Sequence, residues 1–419
     1  MLKKIGFSYI AIYLITIITF INGVLVARYF GPEGKGLLTS YFFIPTAIIL
    51  YSEFGINESI VQYISSGYRI SKSFLIKTYL IIIFIGLTIL FIYSSYFNDE
   101  FLNLGSLGPL TLILLFSNQL LDSFFKGRFE INIFNINNLL KAFLFLVIVI
   151  IGIYHDFSII HIFEGYIIVL ILSIIHLLIR IRFLKFDKPT PIIQQKKLIS
   201  FSLKSYIFKV LNSTESIFDK LIIVTILSNI AFGEYSVAVA LSSLCYLVLV
   251  SPISKILLPI LNKLELQERV LMAINLSKTS FIIIFFLGIL IIIFSDVLVT
   301  FIYGNEFKNA SVALSILMVG VILKTPMPFL THFYKSINKP EVLVNISLVS
   351  LPFNIVGSLV LIPLMGILGA AIVSSITYSL YSFLLVYKFT KYTKSTLSQL
   401  LKFNIMDFKL LIENLKTIS

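Results

Sequence analysis

The feature that most constrains this chain is a recurring block of about 20 apolar residues, the length a helix needs to cross a bilayer. Clear examples run over 74–93 and 342–364, and shorter apolar runs at 141–154 and 281–294 reach that length with their flanks. Little is left between them. Of 419 residues, 58% are hydrophobic and 13% charged, roughly half the charge of a soluble domain. The sequence therefore predicts an all-α polytopic membrane protein with no soluble domain. Cutting at charge clusters and at Pro and Gly gives about twelve transmembrane helices. They are 5–29, 37–64, 73–96, 107–127, 136–154, 158–182, 200–227, 231–259, 271–295, 309–333, 342–363 and 367–390. No connection is long enough to fold as a catalytic domain, so no enzyme is expected. The segment 5–29 is too long for a signal-peptide core and reads as a retained first span.

Basic residues test this cut, because cytoplasmic loops carry the excess of Lys and Arg. With the N-terminus inside, the outer loops and the span ends beside them hold only Arg28, Lys35 and Lys308, while every inner loop carries Lys or Arg out of the chain's 33. A wrong span count would scramble that alternation. The net charge of +13 is thus mostly topology. No nucleic-acid partner is implied, since no soluble basic face exists to bind one. Both termini are expected in the cytoplasm, with the chain in the cell's inner membrane and lipids around it. The tail 391–419 spaces Leu397, Leu400, Leu401, Ile405, Phe408, Leu411 and Leu415 as an amphipathic helix on the inner leaflet would, the alternative being a frayed tail.

The basic, proline-containing stretch 183–199 parts the chain into a six-helix bundle over 1–182 and another over 200–390. The run from Val24 to Leu38 and the run from Leu221 to Tyr235 read alike, each an apolar helix end, a polar turn and a Gly before a new helix. Gly36 and Gly233 occupy matching places. Even span numbers per half make the repeats parallel, related by an axis along the membrane normal, as in transporters.

Several segments resemble a known family. The run ARYFGPEGKG from Ala27 to Gly36 resembles the R-x-L-G-P-x-x-x-G turn of the polysaccharide transporter (O-antigen flippase) family, within the multidrug/oligosaccharidyl-lipid/polysaccharide exporter superfamily. EFGINESIVQYI at 53–64 is similar to the end of its second span. FDKLII at 218–223 with GEYSVA at 233–238, FIYGNEFKNA at 301–310 and LIPLMGILGAA at 361–371 follow in family order. Gly34 and Lys35 depart from it, since members often carry a bulky residue there. The resemblance implies two pseudo-symmetric bundles in a V-shaped, MATE-like arrangement. It also implies a flippase that moves an undecaprenyl-pyrophosphate-linked oligosaccharide outward by alternating access, working beside a polymerase and chain-length machinery. The alternative within the superfamily is a cation-coupled multidrug exporter.

Charges inside spans are rare and informative. In span seven, Ser202, Ser205, Lys209, Asn212, Ser213, Ser216, Asp219 and Lys220 recur at helical steps. Lys209 and Lys220 are eleven residues apart, which puts them within about 20° on one face. The expected substrate-binding set is Arg28, Lys209, Asn212, Ser216, Asp219, Lys220 and Lys324, the last beside Pro326 and Pro328. A guanidinium at Arg28 and ammonium groups at the lysines suit phosphate oxygens. Each has a structural counterpart reading: an interfacial Arg28 holding the turn, a snorkelling Lys209, a paired Asp219 or a kinked helix at Lys324. Glu53, Glu58, Asp122 and Glu215 are candidate coupling acids, or ion-pair partners. The lone Cys245 forms no disulfide or thiolate cluster, and His155, Asp156 and His161 match metal spacing only loosely. No Walker-type phosphate loop occurs. No cofactor and no metal are expected.

Overall fold

The computed structural model describes residues 2–97, 105–183 and 191–396, and leaves out the side chains of 2–9, 208, 212, 252, 255, 256 and 259. Nearly everything described is helical. α1 (Leu2–Ser52) is broken by a non-helical Gly31, at φ 67° and ψ −172°. α2 (Ile56–Ser65), α3 (Lys72–Phe97), α4 (Leu107–Gly127), α5 (Ile131–Tyr154), α6 (Ile159–Arg182) and α7 (Gln195–Ile226) follow. Then come α8 (Asn229–Cys245), a π-helical turn (Tyr246–Val250), α9 (Ser251–Leu261), α10 (Leu266–Ile293) and α11 (Ser295–Tyr303). The series closes with α12 (Ala310–Lys324), α13 (Met327–Ser336), α14 (Glu341–Met365) and α15 (Ile367–Thr393).

Among the described residues, ten helices are long and apolar enough to cross a membrane. α1 supplies a further crossing, because its two arms fold back on each other. In a straight helix Gly23 and Lys35 would stand about 18 Å apart. Instead Lys35 Nζ lies 3.4 Å from where a Cβ on Gly23 would be. Gly tolerates this φ and Pro32 opens the second arm, where its missing N–H costs nothing. The twelfth crossing is α7, with 32 residues, too charged to register by hydropathy. The chain is thus a multi-pass membrane protein of about twelve spans.

Three expected spans are interrupted. The second breaks at 53–55, where α1 ends and α2 begins. The eighth contains the π-helical turn, and the tenth breaks between α12 and α13 at Thr325 and Pro326. The amphipathic tail lies almost wholly outside the described residues.

The helices group into two compact units, one of Met1–Ser213 with Val224–Gly233, the other of Thr214–Ile223 with Glu234–Ser419. The division falls within α7. In the first unit α1 packs along α5, and α4 packs between α2 and α6, around buried Phe116, Phe125, Phe163, Val149 and Leu170. In the second, α15 lies against α12 and α14, and Phe329, Phe333, Leu330 and Phe389 are fully buried in its core.

The burial pattern is that of a protein in lipid. α14 buries Ser347, Ser350, Asn354 and Ser358. Its exposed face carries Leu348, Val349, Phe353, Val356, Leu359 and Val360. Apolar side chains outside and small polar ones between helices reverse the order of a soluble bundle, because lipid tails offer no penalty to Leu while polar groups need partners.

Candidate functional site

The second unit holds an arrangement built from helix interruptions. α12 ends at Lys324 because Pro326 and Pro328 follow and cannot continue the backbone ladder. Thr325, fully buried, turns its hydroxyl back to the Val321 carbonyl at 3.0 Å. The Lys324 ammonium lies over the Tyr378 ring, 4.1 Å from its centroid, and 5.0 Å from the centroid of Tyr246. Both distances are within cation–π range. Tyr246 is the first residue of the π-helical turn, a kind of irregularity common at functional sites.

Lys220, on α7, is close enough for its charge to act on Lys324. Among the described residues neither ammonium has a carboxylate partner. The nearby acids are held by neutral donors. Buried Asp219 accepts from the Tyr235 hydroxyl, from Ser374 Oγ at 2.9 Å and from the Lys220 backbone N–H at 2.7 Å. Buried Glu215 accepts from the Ser350 hydroxyl. Two lysines and two carboxylates balance in number, yet their partners differ. The carboxylates are tied into the fold by neutral donors, and the Lys324 ammonium meets aromatic rings.

The first unit treats its charges differently. The Lys209 ammonium pairs with buried Glu53 and lies 2.8 Å from Glu58. Asn57 donates to the other Glu53 oxygen. Lys141 lies 3.7 Å from Asp122. Lys126 stacks over Phe134 at 4.2 Å and feels the charges of Asp122, Glu58 and Lys209. A neutral chain continues from there: Ser173 bonds Asn118 at 2.6 Å and Asn137 at 3.1 Å, and His176 meets Asn137 at 3.1 Å. Glu58 Oε2, Asn57 Oδ1 and Asp122 Oδ1 are buried without a hydrogen-bond partner.

The expected residues therefore divide. Lys220, Asp219, Glu215 and Lys324 fall in the second unit and gather near one another. Lys209, Glu53, Glu58 and Asp122 fall in the first and form ion pairs. Ser216 is exposed on the part of α7 that belongs to the second unit, and Arg28 is exposed on α1. The Asn212 side chain lies outside the described residues. Lys209 and Lys220, on one helical face by spacing, belong to different units. The spacing of span seven pointed to neither Tyr246 nor Tyr378. A signal for Tyr378 existed: Ser374, Ser375, Tyr378, Tyr381 and Ser382 repeat at three- and four-residue steps in α15. Nothing in the sequence marks the π-helical turn that presents Tyr246. Among the described residues no group of three or more His, Cys, Asp or Glu is placed to hold a metal ion.

No curated protein matches this chain. Among solved structures, the lipid II flippase MurJ in an inward closed conformation is similar, with a TM-score of 0.72 at 15% identity over 98% of this chain and 92% of that one. An inward-facing multidrug resistance MATE family transporter of the MOP superfamily gives 0.67 at 15% identity over 91% and 96%. A MOP superfamily transporter from Pyrococcus furiosus, described as having a binding pocket of reverse polarity, gives 0.52 at 15% over 92% and 96%. At such identities the likeness is one of fold. The sequence profile of the polysaccharide biosynthesis protein family matches residues 25–312, well over half of the chain, and the protein belongs to that family.

Proposed function

We infer that this protein is a flippase that moves an oligosaccharide carried on a polyprenyl pyrophosphate from the inner to the outer leaflet. The observation that carries this reading is Lys324, an intramembrane ammonium held between two tyrosine rings beside Lys220, with no carboxylate on either among the described residues. Charged groups within spans need a reason to be there, and an anionic headgroup supplies one. Rings and ammonium together suit a ligand with phosphate at one end and sugar C–H faces at the other. Family membership and a flippase fold support the same reading.

In this reading the two repeats form six-helix bundles, 1–182 and 200–390, joined by the basic linker 183–199 and followed by a cytoplasmic amphipathic tail. Both termini face the cytoplasm and the chain sits in the inner membrane, as the side-by-side alternation of Lys and Arg supports. Access alternates from one leaflet to the other. The pyrophosphate headgroup stays on the cations while the polyprenyl tail remains in lipid. The interior-negative potential favours an anion moving outward by about 2.3 kcal/mol per charge per 100 mV. Transport needs no covalent step.

Lys324→Ala and Lys220→Ala tested in the native host should each lower surface polysaccharide by about tenfold or more, the equivalent of 1.4 kcal/mol of binding, at unchanged protein level in the membrane. Normal polysaccharide in both variants rejects the assignment. Efflux of organic cations by the purified, reconstituted protein would point to the multidrug alternative.

A further inference from the structure

We propose that Lys35 is a second anion-binding residue, one that takes the phosphate end of the transported lipid in the first compact unit. The proposal rests on the flippase reading for its ligand, but its evidence is local geometry in a different unit from Lys324.

Gly31 turns α1 back on itself. Gly23 stands eight residues before this turn, about 12 Å along the first arm, and Lys35 four residues after it, about 6 Å along the second. The Lys35 ammonium nevertheless reaches to within 3.4 Å of the Cβ position on Gly23. It lies deeper from the turn than its own Cα by about the full length of a lysine side chain, roughly 6 Å. Two general tendencies would carry it the other way. Lysines near span ends extend toward the interface. Helical side chains also tilt toward the N-terminus, which for this arm is the turn. Lys35 does the opposite and points along the span.

Its surroundings offer no compensation. The side chain is half-buried. Among the described residues its ammonium makes no ion pair, hydrogen bond or ring contact. Every other interior lysine of this unit has one: Lys141 on Asp122, Lys209 on Glu53 and Glu58, Lys126 over Phe134. The arm that carries Lys35 is held in place at the next residue, since a Cβ on Gly36 would fall on the Asn229 carbonyl. A fixed, inward-pointing, uncompensated ammonium within a span needs an anion to offset it. Its compact charge with three donors fits phosphate oxygens. Gly23 leaves the space that the ammonium and its ligand occupy.

The phosphate could come from the cargo lipid or from a bilayer phospholipid, and we assign it to the cargo. The test is binding of undecaprenyl pyrophosphate to the full chain in phosphatidylcholine nanodiscs, with and without phosphatidylglycerol. Lys35→Gln should weaken binding about tenfold and Lys35→Arg should stay within about threefold of wild type. Gly23→Val leaves the lysine intact but fills its seat, and should match Lys35→Gln. Binding unchanged in Lys35→Gln, with Lys324→Gln impaired, overturns the Lys35 proposal and leaves the flippase reading standing. Equal displacement by phosphatidylglycerol overturns the cargo assignment. No binding to the wild-type protein overturns the flippase reading and this proposal with it.

Discussion

Four intramembrane lysines show how much a residue's meaning depends on its neighbours. By sequence, Lys209, Lys220 and Lys324 are cations in apolar helices, and Lys35 lies in the outer turn between the first two spans. In the folded chain Lys209 is an ion-pair member, bonded to Glu53 and Glu58, whereas among the described residues no carboxylate pairs with the ammonium groups of Lys35, Lys220 and Lys324. Lys209 thus has a structural task, and the carboxylates it meets are not equal. Glu53 is fully buried and also accepts from Asn57, while Glu58 is only half-buried. Removing one partner of a buried pair leaves an unmatched charge, so Glu53→Ala should destabilise the protein by about 3 kcal/mol. The same change at Glu58 should cost under about 1 kcal/mol, as exposed pairs do. Thermal unfolding of the detergent-solubilised variants measures both. Equal losses would show that Glu53 owes nothing to its burial. The spacing of α7 made its polar residues visible, but which lysine meets a carboxylate depends on where α2 and the break at 53–55 lie in space.

At the scale of elements, the irregularities matter more than the regular turns. The Gly31–Pro32 reversal was legible, because only Gly readily takes that φ and Pro favours a helix start. The π-helical turn at Tyr246 was not, since no residue type demands one. Close approach of helices lies between these cases. Gly36 of α1 and Gly233 of α8, the glycines that the internal repeat aligns, lie against each other: a Cβ on Gly36 would strike the Asn229 carbonyl and stand 3.0 Å from the Gly233 nitrogen. A Cβ on Gly233 would strike the Pro32 carbonyl. Backbone cannot yield as a side-chain tip can, so Gly36→Ala and Gly233→Ala should each cost about 1–3 kcal/mol through overpacking. Melting temperatures of the purified variants check this. An unchanged melting temperature in Gly36→Ala would mean the two helices are not held this closely.

At the scale of the molecule, the testable quantity is orientation. The chain has one cysteine, Cys245, so a Cys245→Ser background makes single-cysteine reporters simple. Reporters at Glu33 and Lys308 should react with an impermeant thiol reagent added outside intact cells, and reporters at Arg69, Lys263 and Lys339 only after the membrane is opened. Labelling of Arg69 or Lys339 from outside would invert the topology and with it the direction of transport. The approximate number of spans and their alternation follow from the sequence by itself, because bilayer thickness and the cost of burying charge act on each segment independently of its partners. The order of helices was readable for the same reason. The tertiary structure alone decided which polar groups meet: that Asp219 is taken up by Tyr235 and Ser374, that Lys324 rests between two tyrosines, and that the Lys35 ammonium reaches Gly23 with no counter-charge among the described residues. Ion pairs, ring contacts and close backbone approaches join residues far apart in the chain, and helical periodicity carries no information about distances between helices.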